Sequence, residues 1–504
     1  MIQENCTGTR HLAGTACLHG VIVLFSILFL CRATRSEEPS PSVQYISYED
    51  ARPILEVLGD ELPTELLGLT NERLRASWPN WVRQTDYQIR ARLAQGDEDT
   101  IVNFLAFGTS FTHQPRLTKG QLGVEAEASS LSQKHLQQAA AESAILDARI
   151  DDLIRGVVTP SNNERLIFVR GALMKRGYNV TTEGGKAAAK AYLLECFRRV
   201  VAEQAKYASR LENAQRASDP TSKFVQSSTL FRDRGLSLDT SLLPDFAIEQ
   251  TLSAMVKGGF LKSRSITRVA VIGPGLDFTD KDEGYDFYPE QTTQPFAVID
   301  TLLRLGLSSP SGIDVTTLDI SPRVNEHVRR IRQRSERGIG YTVELPLSSQ
   351  AKWTPEAIRY WNQFGDQIGT SAKAINSRGE LRNIEVRAVR IRPSVMRKVE
   401  PVDLNIVLQT LDLPEAKKFD LVIATNIFVY YDVFQQCLAL ANVAKMVRPN
   451  GFLVTNTALL EWPNSQLHAV DNISVVYTRH GDGGHFVWYQ AENPPRTSYL
   501  PRIK

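Results

Sequence analysis

The chain has 504 residues, 42% hydrophobic and 23% charged, the balance of a globular protein that buries a sizeable core in two or three domains. Its formal charge of +2 arises in the leader, where Arg10, Arg32 and Arg35 outnumber Glu4; the remaining basic and acidic residues are equal in number, so no nucleic-acid partner is expected. Cys6, Cys17 and Cys31 lie in that leader and Cys196 and Cys437 stand far apart, which suggests neither a disulfide framework nor a cysteine metal site, and the eight histidines lack paired ligand spacing, so no metal is expected.

Residues 12–31, "LAGTACLHGVIVLFSILFLC", come first in chain order. The run from Gly20 to Cys31 has signal-peptide length, with a weak cleavage site at Ala33 to Ser36; counted from Leu12, the stretch is just long enough to span a bilayer. Residues 1–36 therefore read as a signal peptide or membrane anchor, which makes the protein exported or membrane-associated, or cytoplasmic if the start is misassigned. "RSEEPSPSV" (35–43) is a linker, and residues 37–262 read as a mainly helical region, with alanine, leucine and charges at helical spacing in "HLQQAAAESAILDARIDDLI" and "KAAAKAYLLECFRRVVAEQAKYASRL".

From Ile266 the pattern changes to alternating strands and helices: "RVAVIG", a helix at "QPFAVIDTLLRLGL", "IDVTTLDIS", a helix at "PRVNEHVRRIRQRSE", then "FDLVIATNIFVYY". This is the grammar of a parallel sheet wrapped by helices. "ANVAKMVRPNGFLVTNT" predicts a helix, a Pro-Asn-Gly turn and a strand. "ISVVYTRHGDGGHFVWYQ" (473–490) predicts a hairpin at the sheet edge, which also accounts for His480 and His485. The α/β domain spans 263–490, and 491–504 form a tail.

"VAVIGPGLDFTDK" (269–281) places Gly273 and Gly275 where a ligand can approach backbone N–H groups. The dinucleotide fingerprint needs a third glycine at Phe278 and a carboxylate about 20 residues on; the next strand instead ends at Asp319, which disfavours NAD. Asp319 stands at a strand's carboxyl end, where a carboxylate accepts both hydroxyls of a ribose. The plainer alternative is that it N-caps the helix beginning near Pro322. Asp277, Asp280 and Asp282 read as a solvated acidic loop, and "RRIRQRSER" (329–337) as a solvated helix.

"FDLVIATNIFVYYD" (419–432) followed by "VRPNGFLVTN" (447–456) resembles strands four and five of class I S-adenosylmethionine-dependent methyltransferases. More narrowly, Asn426, Tyr430, Tyr431 and Asp432 keep the order of the chemotaxis-receptor glutamate methyltransferase (CheR-type) branch. "QPFAVID" resembles that branch's Glu-Pro-Tyr-Ser segment, Asp319 falls on its ribose-binding Asp, and Asn405 and Ile406 fall on its Asn-Leu pair near the adenine. "FLAFGTSFTHQPRLT" (104–118) is similar to its Thr-x-Phe-Phe-Arg segment, with Thr109 and Phe111 kept and His113 in place of the Arg.

The resemblance implies a Rossmann-like class I methyltransferase sheet with a C-terminal antiparallel hairpin, preceded by the helical region, and S-adenosyl-L-methionine as cofactor. Gly273, Gly275, Asp319, Asn405, Ile406 and Asn426 are its implied cofactor contacts. Asn426 and Tyr430 are the implied catalytic pair facing the methyl group and its acceptor, a small molecule or a protein carboxylate. A packing role for Tyr430 and Tyr431, and a turn role for Asn426, are the plain alternatives. A non-catalytic exported or membrane-associated binding protein retaining the fold, with membrane association through residues 12–31, is the second reading; an NAD-dependent oxidoreductase is the third.

Overall fold

The computed structural model describes residues 41–117, 133–216, 229, 231–279, 284–375 and 384–492. The expectations for residues 12–31, for Asp280 and Asp282 and for the tail beyond residue 492 lie outside them, while Ala491, expected in the tail, closes the last strand. Among the described residues no helix is long and apolar enough to cross a membrane.

From the N-terminus the elements are β1 (Val43–Tyr45), α1 (Tyr48–Leu58), α2 (Asn71–Phe107), α3 (Gln133–Val158), α4 (Glu164–Lys175), α5 (Glu183–Arg216) and α6 (Leu242–Lys257). Strands and helices then alternate through β2 (Arg268–Ile272), α7 (Gln294–Arg304), β3 (Asp314–Asp319) and α8 (Pro322–Glu336). An insertion follows with β4 (Tyr341–Ser348), α9 (Pro355–Gln363), β5 (Gly369–Ala372), β6 (Ile384–Ile391) and α10 (Pro393–Met396). The chain closes with β7 (Val399–Asp403), β8 (Gln409–Leu411), β9 (Phe419–Ala424), α11 (Val433–Met446), β10 (Val447–Thr455), β11 (Leu467–Val476) and β12 (Gly483–Ala491).

Seven strands form the main sheet in the order β11-β12-β10-β9-β2-β3-β7. From β10 to β7 every neighbour is parallel, and the antiparallel β11–β12 hairpin closes the other edge, as its alternating sequence predicts. The expected Pro-Asn-Gly turn lies within β10: Asn450 has φ 60°, and the register to β9 shifts between Val447 and Phe452. The chain builds outward from β2 through β3 to β7, then returns to β9 on the other side of β2. The strand order therefore reverses between β2 and β9, and a crevice opens at their carboxyl ends.

Side chains alternate across each strand, so the sheet feeds two cores. Ala270, Ile272, Val422 and Ala424 face one with α1, the first half of α2 and α11; Val269, Val271, Leu421 and Ile423 face the other with α6 and α7. Strands buried on both faces need helices on both sides. Here three of those covers, α1, the first half of α2 and α6, come from the helical region before residue 262, and Val43–Lys504 forms one compact unit. The insertion carries its own antiparallel sheet, order β4-β6-β5, whose Val343, Val389 and Ile391 join the second core.

The 37-residue α2 is about 55 Å long. Thr70 caps its start; Leu74, Trp78, Val82 and Ile89 pack towards the sheet, and Ile101, Phe104 and Leu105 enter a third core with α3, α4 and α5.

Candidate active site

A pocket lies at the crevice between β2 and β9. Gly273 and Ile272 form its floor, Asp319 and Ile320 one side, and Ile427, Tyr430 and Tyr431 the other; Leu404 and Ile406 line its end. Gly273 has φ 63°, where most side chains are strained, and a Cβ there would stand 2.2 Å from Ile427 Cδ1, so a larger residue would also push Ile427 aside.

Asp319 does not cap α8. Ser321 does, its Oγ accepting from the Val324 N–H, while Asp319 Oδ1 accepts from the Ser321 N–H at 2.7 Å. Asp319 Oδ2 has no partner among the described residues, and the residue is 7% exposed, through the pocket. Burial pushes its carboxyl up to about 7; the Ser321 N–H and Arg90 oppose this, and Asp403 adds to it. In this pocket of about 60 Å³ the free carboxylate oxygen lies beside Ile320, Leu404 and Ile406, an acceptor for hydroxyl groups next to aliphatic side chains.

Asn405 is placed differently from its expected role at the adenine. It is fully buried, its Nδ2 donates to Asp86 Oδ1 at 2.8 Å and its Oδ1 accepts from the Val407 N–H at 3.1 Å. Both ends of the amide hold the turn between β7 and β8, so the neighbours Leu404 and Ile406 face the pocket instead. Asp86 also accepts from Arg90 and from the Tyr45 hydroxyl, and Arg90 pairs with Asp403 at 2.8 Å.

Gly275 likewise serves a wall rather than the pocket. A Cβ there would stand 2.7 Å from the Leu238 carbonyl oxygen, because residues 235–239 cross the crevice as an extended strap. The strap is bonded along its length: Leu276 N–H donates to the Leu238 carbonyl at 2.8 Å, Leu236 N–H to the Arg92 carbonyl at 3.2 Å, and Phe231 N–H, just before it, to the Val429 carbonyl at 3.1 Å. Arg92 adds donations to the carbonyls of Arg234 and Tyr430 at 2.8 and 2.9 Å. Sequence reading missed this strap; the alternation in "GLSLD" was its only signal.

Beyond the strap lies a second cavity of about 370 Å³, walled by α2, α5 and the β9–α11 loop. Strap and loop divide the two spaces residue by residue. Leu236 and Leu238 face the pocket, whereas Gly235 and Ser237 face the cavity; Ile427 and Tyr431 face the pocket, whereas Asn426 and Val429 face the cavity. Tyr430 lines both, with no hydrogen-bond partner for its hydroxyl among the described residues. The fully buried side chain of Gln436 fixes the loop from behind, donating to the carbonyls of Phe428 and Tyr431, and Asp432 N-caps α11 in a reciprocal capping box.

Asn426 sits at φ 58°, a left-handed conformation that asparagine tolerates better than most residues. Its N–H donates to Asn456 Oδ1 at 2.8 Å, and its Oδ1 accepts from Asn456 Nδ2 at 2.7 Å. Gln294, at the start of α7, donates to Thr425 Oγ1 at 2.9 Å and ties that helix to the same strand end. His113 is exposed and lines neither space; Thr109 is held by the buried carboxylate of Asp286, which accepts from its N–H and hydroxyl. Asp277 is buried rather than solvated: it accepts from Tyr288 and Gln291, and burial pushes its carboxyl up to about 7. No group of residues able to hold a metal ion occurs among the described residues.

No protein-family model and no curated protein matches the chain. Solved structures do. The N-methyltransferase NodS from Bradyrhizobium japonicum WM9 is 12% identical, covering 49% of this chain and 96% of its own, with a TM-score of 0.24. Magnesium protoporphyrin IX methyltransferase (ChlM) from Synechocystis PCC 6803, with bound SAM, is 9% identical over 56% of this chain and 90% of its own, with a TM-score of 0.25. An O-methyltransferase family protein from Burkholderia thailandensis is 11% identical over 72% of this chain and 99% of its own, also with a TM-score of 0.25.

Proposed function

We propose that this protein is an S-adenosylmethionine-dependent methyltransferase whose donor lies in the pocket beside Asp319 and whose acceptor lies in the adjoining cavity. The observation that carries the reading is the shared wall: two spaces meet at Tyr430, at the strand-order reversal of an open parallel sheet. A site that only holds a nucleotide has no need of that arrangement, whereas a transfer between two bound molecules does, and Phe278 in place of the third glycine of the dinucleotide fingerprint disfavours hydride transfer from NAD. The order of Asn426, Tyr430, Tyr431 and Asp432 supports kinship with the CheR-type branch.

The cofactor, when bound, supplies an electrophilic methyl group on a positively charged sulfur. The chain's own residues then have to align two molecules and exclude water, which is most of what in-line methyl transfer requires. Asp319 Oδ2 would hold the ribose hydroxyls and Leu404 and Ile406 would enclose the base, while Gly273 makes room for Ile427 at the floor. Leu236, Leu238 and Leu93 keep the pocket dry on the strap side. Tyr430 borders the methyl path, and Asn426 meets the acceptor.

Calorimetry of the purified full-length protein with S-adenosylmethionine, S-adenosylhomocysteine and NADH tests the reading. Binding of both sulfur compounds and not NADH is expected. Asp319→Ala should cost at least ten-fold in their affinity, by losing hydrogen bonds to a charged group. Tyr430→Phe should leave affinity within about two-fold and lower turnover. A wild-type protein that binds neither sulfur compound sinks the proposal.

A further inference from the structure

The Asn426–Asn456 pair fixes what the cavity offers an acceptor. A backbone N–H can only donate, so the Asn456 atom that meets the Asn426 N–H at 2.8 Å is its carbonyl oxygen. The other Asn456 atom is then the amide nitrogen, which donates to Asn426 Oδ1 at 2.7 Å. This chain of donors leaves Asn426 Nδ2 as the group with no partner among the described residues, on a residue that lines the cavity. The amide orientation follows from hydrogen-bond logic, because one member of the network is a main-chain donor.

Resting on the methyl-transfer reading above, we infer that the acceptor nucleophile is an oxygen, carboxylate or phenolate, on a small and largely apolar molecule, and that Asn456 is the positioning residue that sets this preference. An oxygen nucleophile has lone pairs to spare: one attacks while another accepts from Asn426 Nδ2. A neutral amine has a single lone pair, so a donor aimed at it competes with the attack, and its own N–H groups find no acceptor on Asn426. In the transfer, an acceptor lone pair forms the O–CH₃ bond as the C–S bond of the methyl sulfonium donor breaks. The C–S electron pair stays on sulfur, giving a neutral thioether, and an ionised oxygen has no proton to shed.

The size of the cavity and its apolar walls agree. About 370 Å³ lies within the range of small-ligand sites, roughly 300–1,000 Å³. Phe107, Val200, Val201 and Val429 are its apolar walls, beside the polar Asn103 and Gln204, and Phe231 packs between Tyr207 and Tyr430 with ring centroids 4.7 and 5.8 Å away. Arg234 lines the same space and is paired there with Glu203 at 3.7 Å and with Asp99, which also lines the cavity, at 3.9 Å.

Asn456→Asp provides the test. A carboxylate there still accepts from the Asn426 N–H, but its second oxygen now accepts from Asn426 Nδ2, which turns the Asn426 carbonyl into the cavity. Binding of benzoate, 4-nitrophenolate and aniline to full-length protein saturated with S-adenosylhomocysteine is measured by calorimetry, and methylated products by mass spectrometry. In the wild type, benzoate or 4-nitrophenolate should bind at least ten-fold tighter than aniline and be methylated on oxygen, and whichever of the two leads identifies the acceptor class. Asn456→Asp should shrink or reverse that ratio, with an unchanged affinity for S-adenosylhomocysteine. Aniline binding as tightly as both oxyanions, no binding of any probe, or an unchanged ratio in the variant each overturns the inference. Failure of S-adenosylhomocysteine itself to bind is instead a failure of the donor reading; the three probes are then compared on the unloaded protein, with the same ratio deciding.

Discussion

Asp319 carries a cost before it meets any ligand. A carboxyl whose folded-state pKa lies above its unfolded value, about 3.9, holds its proton more tightly in the folded protein. Its favourable contribution is therefore complete below about pH 4 and is lost as pH rises to the folded value of about 7. Asp245 and Asp277, pushed by burial to about the same value, act in the same direction. Asp319→Asn should remove one part of this slope: compared with the wild type, its melting temperature should gain between pH 4.5 and pH 7, which thermal unfolding at the two pH values will measure. An identical pH dependence in both proteins would mean that Asp319 is solvated. The ionised form is also the one that accepts hydroxyl hydrogen bonds, so adenosine should bind tighter at pH 8 than at pH 6.

Among the elements, the strap decides the most from the least sequence. It lies so close to α2 that a Cβ at Gly96 would stand 1.9 Å from the Leu236 carbonyl oxygen. In an ordinary exposed helix, Gly→Ala stabilises by up to about 1 kcal/mol. Gly96→Ala should do the opposite, costing roughly 1–3 kcal/mol as the strap is pushed outward. Urea unfolding gives the sign directly, and a more stable variant would show that the strap is not held there. Most of the elements were legible in the sequence: α8 spans "PRVNEHVRRIRQRSE" as predicted, and β2, β3 and β9 fall on their apolar runs, because parallel strands buried on both faces leave a continuous hydrophobic signature. The strap left only the short alternation of "GLSLD", since an extended segment bonded to the middle of a helix, a loop and a turn has no continuous strand partner and no helical periodicity.

For the whole molecule, arginines tie the helices before residue 262 to one another and to the sheet domain. Arg165 on α4 donates to the carbonyls of Phe278 and Tyr288, just beyond β2, and Arg149 on α3 donates to the carbonyls of Leu105, Gln114 and Pro115. Arg323 of α8 lies over the Phe168 ring of α4 at 3.9 Å. Calorimetric unfolding should thus show one transition for residues 43–504, and Arg165→Ala, which leaves buried carbonyls unpaired, should lower its midpoint without splitting it, at a cost of about 2–4 kcal/mol. Two separated transitions in the wild type would restore an independent helical domain. By itself, the sequence determined the alternation of strands and helices, the carboxylate at the end of β3 and the Asn-to-Tyr spacing after β9, because each depends on local periodicity or on residues a few positions apart. Only the tertiary structure decided that Asn405 turns away from the pocket, that Gly275 serves the strap, and that Asn456, 30 residues after Asn426, orients its amide. Those roles depend on which distant backbone groups arrive at hydrogen-bond distance, and no local pattern encodes that.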